Sequence, residues 1–175
     1  CMLKAMGHNN VAVLDGGLSA WVHAGLPTSE THATDYAHGN FTTSFNSIAA
    51  VAMDEVKANI TSKQFTLIDA RSKGRFDGTA PEPREGLSSG HVPGCFNLPF
   101  QDVLVNGFMK SEEELRVIFD KLTLAHKPLV FSCGSGLTAC ITLLAAGRVL
   151  PNPLSVYDGS WTEWASLETN LIEKQ

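Results

Sequence analysis

The fold is decided by residues 128–150, which read PLVFSCGSGLTACITLLAAGRVL. The first part, Pro128 to Ser132, is a short apolar run rich in strand formers, and it predicts a buried β-strand. The longer apolar run from about Thr138 to Leu150 predicts a helix. Cys133 and two glycines occupy the loop between them. A strand, a loop and a helix in this order form the repeating unit of a parallel α/β sheet.

Similar units precede and follow this stretch. Helices are predicted from Asp54 to Ile60 and from Ser111, the N-cap of a capping box, to about Leu122. Strands are predicted at residues 65–69 and 95–98, and a final strand and helix follow residue 150. Strands that alternate with helices predict an α/β fold, with an open parallel β-sheet flanked by helices on both faces.

Composition excludes several classes of protein. The chain has 175 residues, of which 43% are hydrophobic and 18% are charged, so it has the material for a packed core. Its net charge of -5 argues against a nucleic-acid partner, because phosphate binding needs clustered cations. No apolar run approaches the roughly 18 residues of a membrane span. We expect a cytoplasmic protein, or a mitochondrial one in a eukaryote, with no membrane or nucleic-acid partner.

The four cysteines stand at positions 1, 95, 133 and 140. This spacing matches neither the paired ligands of a zinc site nor the framework of a small disulfide-rich domain. We therefore predict no metal and no cofactor.

A repeat links the two ends of the chain. Residues 13–21 read VLDGGLSAW and residues 156–164 read VYDGSWTEW. Each copy predicts a strand, a tight Asp-Gly turn and a helix. The residues that precede each copy predict a further helix and a turn. A repeat of this spacing indicates two related domains. We expect residues 1–28 to be the C-terminal remnant of a first domain, residues 29–45 to be a linker, and residues 46–175 to be a complete catalytic domain. The missing part of the first domain would be a partner of the second.

Cys133 is the candidate catalytic residue. It follows a predicted strand at the sheet edge where ligands gather, and it precedes a helix whose N-terminal N–H groups attract anions. Gly134 and Gly136 let the loop curl so that several N–H groups face the sulfur, an arrangement that stabilises a thiolate. The alternative is a buried structural cysteine. The position at a strand end favours the functional interpretation.

Residues 133–140, which read CGSGLTAC, resemble the active-site loop of the 3-mercaptopyruvate sulfurtransferases, within the rhodanese superfamily. Further matches read DAR at 69–71, GRF at 74–76, GTAPEPR at 78–84, GHVPG at 90–94 and YDGSWTEW at 157–164. Leu137 departs from the family, in which valine is usual. The resemblance implies a rhodanese-like fold for the complete domain and for the remnant, because the family carries two rhodanese domains in tandem.

The resemblance also implies a reaction. The Cys133 thiolate takes the sulfur of 3-mercaptopyruvate, which leaves pyruvate and a cysteine persulfide, and the outer sulfur passes to a thiol, a thioredoxin-like protein or cyanide. Ser135 is similar to a loop serine that assists proton movement, and the alternative for it is a turn residue that bonds locally. The resemblance assigns the rest of the loop to substrate binding: Gly134, Gly136, Leu137 and Thr138.

A basic loop follows the predicted strand that ends at Asp69. Four of the thirteen Lys and Arg residues lie between positions 71 and 84, which suits a carboxylate substrate. The resemblance assigns Arg75 and Arg84 to a clamp on that carboxylate, whereas Arg71 is expected to form a structural ion pair with Asp69. The alternative is a solvated loop that its own acidic residues partly neutralise, namely Asp77, Glu82 and Glu85.

Other functions fit the loop less well. Thiosulfate-preferring rhodaneses carry basic residues in the cysteine loop, and residues 134–137 contain none, so thiosulfate is expected to be a poorer donor. Tyrosine phosphatases end this loop in Arg, where the chain has Ala139, so phosphoryl transfer is not expected. A weakly active or non-catalytic rhodanese-like interaction module stays an alternative. Structural roles are expected for the remaining candidates, His91, Cys140, Trp161 and Trp164.

Overall fold

The computed structural model describes residues 1–31, 34–122 and 126–175. The strands, in chain order, are β1 (Ala50–Val51), β2 (Thr66–Asp69), β3 (Phe96–Asn97), β4 (Leu104–Val105), β5 (Phe108–Met109), β6 (Leu129–Ser132) and β7 (Leu154–Tyr157). Five of them form a parallel sheet in the order β1–β7–β6–β2–β3. The other two, β4 and β5, form an antiparallel hairpin.

β6 occupies the middle of the main sheet, between β2 and β7. All four of its residues are buried, which explains why its sequence is a nearly continuous apolar run without alternation. The register pairs Asp69, at the end of β2, with Ser132, at the end of β6. Cys133 follows Ser132 and therefore emerges at the carboxyl edge of the sheet, as the sequence predicted.

Helices cover both faces of the sheet. In chain order they are α1 (Met2–Ala5), α2 (Gly17–His23), α3 (Met53–Ser62), α4 (Lys73–Asp77), α5 (Glu112–Asp120), α6 (Ala139–Val149) and α7 (Ser160–Ala165), and 3-10 turns span Ser47–Ala49 and Phe100–Val103. Successive strand residues point to opposite faces. Phe131 packs in a cluster with residues of α5 and α6, whereas Val130 packs with residues of α3 and α7. The predicted α/β fold is confirmed.

The boundaries of the main elements follow their sequence signals. The predicted capping box of α5 is present: Ser111 Oγ accepts the Glu114 N–H at 3.3 Å, and Glu114 Oε2 accepts the Ser111 N–H at 3.0 Å. The helix ends at Asp120, two residues before the predicted end at Leu122. No helix in the described ranges is long and apolar enough to cross a membrane.

The sequence prediction lacks the two-residue strand β1, the short helix α4 and the hairpin of β4 and β5. α4 has only five residues and contains Gly74, so its pattern is too short to show a helical period. The hairpin of β4 and β5 turns at Asn106 and Gly107, whose φ angles are +50° and +85°. This Asn-Gly turn is a recognised hairpin signal, and it could have been used.

The first copy of the repeat folds only in part. α1 and α2 form, but the strand predicted just before Asp15 does not. Val13 and Leu14 are 71% and 55% exposed, and within the described ranges no strand pairs with them. A strand needs a neighbouring strand for its backbone hydrogen bonds, so local propensity alone did not produce one. Asp15 instead accepts a hydrogen bond from the Met109 N–H of the hairpin, at 2.8 Å.

The predicted linker, residues 29–45, includes positions 32 and 33, which lie outside the described residues. Residues 34–45 contain no helix or strand. Its end is tied to α1, because the Ser44 N–H donates to Met6 O at 3.0 Å and the Asn46 N–H donates to Ala5 O at 2.7 Å. The domain boundaries at 28 and 45 stay predictions.

Candidate active site

Cys133 lies at the carboxyl end of the middle strand, between that strand and α6. The residue is 2% exposed and belongs to the apolar cluster on the α5 and α6 face of the sheet. It is thus more enclosed than we expected of a reactive thiol. The exposed part of the loop is formed by Ser135 and by Leu137, which is 78% exposed.

The first turn of α7 fixes the main chain of this loop. The Cys133 N–H donates to Ser160 Oγ at 3.1 Å, and Cys133 O accepts the Trp161 N–H at 2.9 Å. Gly134 O accepts both the N–H of Thr162, at 3.0 Å, and its hydroxyl, at 2.6 Å. The carbonyl oxygens of Cys133 and Gly134 are therefore committed to α7.

The N–H groups of residues 134–139 are not used in the hydrogen bonding of the described residues. None of these six consecutive groups donates to a protein acceptor within the described ranges. They precede or open α6, where N–H groups lack helical partners and the helix dipole favours negative charge. They include Gly134, Gly136, Leu137 and Thr138, which the sequence analysis assigned to substrate binding. The loop therefore has the donors that an anion next to Cys133 would need.

The two glycines of the loop are needed for close approaches. A Cβ at Gly134 would lie 3.0 Å from Arg75 Nη2, so the guanidinium of Arg75 packs directly against the cysteine loop. A Cβ at Gly136 would lie 3.0 Å from Asp158 O, and Gly136 has a φ of +82°. Gly134 thus makes room for an arginine, and Gly136 makes room for the turn before α7 and supplies a left-handed conformation.

Arg75 is placed beside the loop by an acidic partner. Arg75 Nη2 lies 2.5 Å from Glu82 Oε2, and Arg75 Nε lies 3.1 Å from Glu82 Oε1. The Arg75 side chain is 24% exposed, whereas that of Glu82 is only 3% exposed. Nη1 of Arg75 makes no hydrogen bond within the part of the chain that the structure describes, so this nitrogen is the one left for a ligand.

Arg71 forms the structural ion pair that we predicted. Its Nη2 lies 2.5 Å from Asp69 Oδ2 and 2.6 Å from Gly90 O, and its Nη1 lies 2.8 Å from Glu82 Oε1. Its guanidinium also stacks on the Trp161 ring, with its central carbon 4.1 Å from the centroid. Burial raises the pKa of Asp69, and the Arg71 guanidinium opposes that rise. All three guanidinium nitrogens of Arg71 therefore have partners within the fold.

The loop is less basic than its sequence suggested. Arg71 and Arg75 share Glu82, and the Lys73 Nζ lies 2.8 Å from Asp77 Oδ2. Arg84 is exposed, and among the described residues it forms no hydrogen bond or ion pair, including none with the cysteine loop. Of the two arginines assigned to the clamp, the structure therefore brings only Arg75 against the loop.

Of the other cysteines, Cys95 and Cys140 are half-buried, whereas Cys1 is exposed. The thiol of Cys140 donates to Gly136 O at 3.5 Å, and burial raises its pKa. Burial also raises the pKa of Cys95 well above its usual value. Neutral thiols in these positions fit packing roles. In the described ranges, no group of three or more His, Cys, Asp or Glu residues could hold a metal ion.

His91 has a structural role, as expected. Its Nδ1–H donates to Phe76 O at 2.8 Å, and its ring stacks on the Phe76 ring with centroids 3.8 Å apart. Its Nε2 lies 3.6 Å from Glu173 Oε2. Trp161 and Trp164 are buried in the core. These aromatic side chains have packing roles in the fold.

Sequence reasoning missed three residues that shape the site: Glu82, Ser160 and Thr162. Glu82 lies in the GTAPEPR stretch, where it was considered only as a partial neutraliser of the loop. Ser160 and Thr162 lie in the repeated YDGSWTEW segment, after the strand next to β6. The signal that could have found them is their place at the same sheet edge as Cys133.

The fold and the site define a class of protein: an open parallel α/β domain with a cysteine at the end of its central strand, followed by main-chain N–H groups that have no acceptor among the described residues. Residues 52–167 match the rhodanese-like domain family, and the chain belongs to that family. Human 3-mercaptopyruvate sulfurtransferase is 42% identical over 165 residues, which cover 93% of this chain and 55% of the human protein. Mouse thiosulfate sulfurtransferase is 44% identical over 167 residues, covering 93% of this chain and 56% of the mouse protein.

A solved structure agrees with these sequence matches. The 3-mercaptopyruvate sulfotransferase SseA from Escherichia coli superimposes with a TM-score of 0.76 at 34% identity, over 91% of this chain and 60% of the bacterial protein. The chain spans about half the length of the curated relatives it matches.

Proposed function

We propose that this domain moves sulfur from 3-mercaptopyruvate to a thiol through a persulfide on Cys133. The observation that carries the proposal is the row of six N–H groups, residues 134–139, for which the described residues provide no acceptor, beside a cysteine at a strand end. The reaction needs an anionic sulfur twice, first as the thiolate and then as the persulfide. Oriented N–H groups stabilise both anions.

The first step forms one S–S bond and breaks one C–S bond. The Cys133 thiolate attacks the sulfur of 3-mercaptopyruvate, and the electron pair of the C–S bond stays on the substrate carbon. That carbon takes up the proton of the substrate thiol and becomes the methyl group of pyruvate. Cys133 is left as a persulfide anion, so atoms and charge balance without a cofactor.

Ser135 is proposed to relay the proton from the substrate thiol to the carbon. It is exposed on the cysteine loop, and its hydroxyl has no hydrogen-bond partner among the described residues. A hydroxyl in this position both accepts and donates a proton. In the second step an acceptor thiolate, such as that of a thioredoxin-like protein, attacks the outer sulfur and releases the Cys133 thiolate.

The substrate carboxylate is proposed to bind Arg75 and Arg84. Arg75 lies against Gly134 and keeps Nη1 for a ligand, because Glu82 takes its other nitrogens. Arg84 has no acidic partner in the described ranges, so its charge is available at the surface of the basic loop, residues 71–84. One carboxylate with one negative charge matches this limited supply of cations.

Thiosulfate is the alternative donor, and the match to mouse thiosulfate sulfurtransferase at 44% identity keeps it open. The composition of the loop favours mercaptopyruvate, because residues 134–138 contain no Lys or Arg to meet a dianion. A non-catalytic interaction module is the remaining alternative.

Intact mass spectrometry after a single turnover tests the proposal. With 3-mercaptopyruvate and no acceptor, the chain should gain about 32 Da and release an equal amount of pyruvate, whereas Cys133→Ser should do neither. Thiosulfate at the same concentration should load the chain more slowly. The assay should include a longer protein in which a complete first domain precedes this chain, because we expect residues 1–28 to be the remnant of such a domain and its absence to slow the loading. Faster loading by thiosulfate would favour the alternative donor, and no loading of either protein would favour the interaction module.

A further inference from the structure

Ser160 has a backbone conformation that residues with a side chain rarely adopt. Its φ is +51°, and it is fully buried at the start of α7. Two other non-glycine residues in the described ranges have a positive φ, Lys63 and Asn106, and both are exposed at a helix end or a hairpin turn. A buried serine keeps such a conformation only where its surroundings require it, and such residues cluster at functional sites.

The conformation places the Ser160 hydroxyl between the ends of two strands. Ser160 Oγ donates to Tyr157 O, at the end of β7, at 2.8 Å. The same oxygen accepts the N–H of Cys133, directly after β6, at 3.1 Å. The hydroxyl thus links the candidate nucleophile to the neighbouring strand.

Hydrogen bonds from Ala70 and from the first turn of α7, residues 160–162, hold three successive peptide units of the loop. The unit before Cys133 is held by Ser160 Oγ on its N–H and by the Ala70 N–H, at 2.8 Å, on its carbonyl. The next unit is held by the Trp161 N–H on Cys133 O. The third is held by Thr162 on the carbonyl of the following glycine.

These contacts determine where the following N–H groups point. In a trans peptide unit the carbonyl and the N–H point in opposite directions, and the described residues contain no cis peptide bond. Because α7 holds the carbonyls of Cys133 and Gly134, the N–H groups of Gly134 and Ser135 point away from α7. A rotation of either unit would replace a donor by a carbonyl oxygen, which repels an anion.

We propose that Ser160 is a positioning residue for the anion site at Cys133, and that its strained backbone is kept for this purpose. It orients the first peptide unit of the loop through its hydroxyl, and it brings the N–H groups of Trp161 and Thr162 onto the next two. The inference rests on the proposed function, because it assigns the anion to the Cys133 thiolate and persulfide.

Two substitutions separate positioning from stability. Ser160→Gly removes the hydroxyl but adopts a positive φ without strain, whereas Ser160→Ala removes the hydroxyl and keeps the strain. The glycine variant should therefore have a higher Tm than the alanine variant. Both should form the persulfide about tenfold more slowly than the parent, the effect expected for one lost hydrogen bond at the reacting group.

Alkylation of Cys133 by iodoacetamide gives a readout that does not need turnover. In both variants the midpoint of the rate against pH should move to a higher pH, because the thiolate loses part of its stabilisation. Ser166→Ala is the matched control: Ser166 Oγ donates to Glu163 O at 2.8 Å at the exposed end of α7, so its loss should leave rate and midpoint unchanged.

The outcomes distinguish the two proposals. A purely structural Ser160 predicts that rates follow Tm, so a stable Ser160→Gly protein with the parental persulfide rate and alkylation midpoint would overturn the inference. If neither the parent chain nor the longer protein forms a persulfide, the proposed function fails. The alkylation midpoints then still report whether Ser160 supports a thiolate at Cys133.

Discussion

Glu82 holds Arg75 with two hydrogen bonds, from Nη2 to Oε2 at 2.5 Å and from Nε to Oε1 at 3.1 Å. The same carboxylate accepts Nη1 of Arg71 at 2.8 Å, so one buried acid joins the structural arginine to the arginine beside the cysteine loop. The stability of the fold and the geometry of the site therefore depend on a common residue.

Removing the charge of Glu82 should destabilise the domain. Glu82→Gln keeps the size of the side chain but leaves the buried Arg71 and the partly buried Arg75 with one carboxylate fewer. Breaking a buried ion pair in this way costs about 3 kcal/mol or more. Urea unfolding should show this loss, whereas Glu85→Gln, at an exposed position of the same loop, should change stability by less than about 0.5 kcal/mol. Equal stabilities would show that Glu82 is not needed to balance the arginines.

Replacing Arg75 should affect both substrate binding and stability, whereas replacing Arg84 should affect substrate binding alone. Both Arg75→Ala and Arg84→Ala should raise the KM for 3-mercaptopyruvate. For Arg75→Ala the fall in kcat/KM should correspond to a loss of roughly 1.5–3 kcal/mol of transition-state stabilisation. Arg75→Ala should also lower Tm, because Glu82 loses a partner, whereas Arg84→Ala should not. Lys73→Ala is the control, since its side chain is 71% exposed and, among the described residues, pairs only with Asp77 on the same helix. Unchanged steady-state kinetics in both arginine variants would exclude the clamp.

Alanine should be tolerated less at Gly136 than at Gly134. At Gly136 the new Cβ meets the backbone oxygen of Asp158, and the positive φ adds a cost of about 1–2 kcal/mol. At Gly134 the new Cβ meets only the end of the Arg75 side chain, which can move. Thermal unfolding should rank the variants in this order, and Gly134→Ala should show its main effect in the KM for the carboxylate substrate. The opposite order of Tm would contradict the close approach at Gly136.

Tyr157 should make stability fall at high pH. Burial, followed by the hydrogen bond and the negative charge of Glu163, raises the pKa of Tyr157 well above its ordinary value. The folded state therefore keeps a proton that the unfolded chain releases above about pH 10, so this contribution is complete below pH 10 and is lost as pH rises beyond it. The loss approaches about 1.4 kcal/mol per pH unit.

The difference in unfolding free energy between the parent and Tyr157→Phe isolates this effect from other groups that titrate at high pH. Measured between about pH 9 and 11.5, the parent should lose its advantage over the variant as pH rises. A difference that is constant over this range would show that Tyr157 ionises equally in both states.

The sequence was sufficient to predict those features that depend on neighbouring residues in the chain. The capping box at Ser111, the apolar run of β6 and the position of Cys133 after it depend on residues close together in the chain, and the structure has all three. The ion pair of Arg71 with Asp69, two residues apart, also followed from the sequence.

Prediction failed where the outcome depends on residues far apart. Glu82 was treated as one of several solvated acids, because its contacts with Arg71 and Arg75, 11 and 7 positions away, depend on how the loop folds. The hydrogen bonds between α7 and the cysteine loop join residues that are 27 or 28 positions apart in the chain. The strand expected at Val13 and Leu14 needed a neighbour that no local pattern could supply.

The central position of β6 separates the candidate site from the margins of the sheet. The marginal strands β1 and β3 have only two residues each, and each is one full strand away from β6. Their amides should exchange with solvent long before those of Leu129 to Ser132. We therefore expect substitutions or insertions in β1 or β3 to displace Cys133 little, so that the marginal strands can vary in sequence without altering the candidate site.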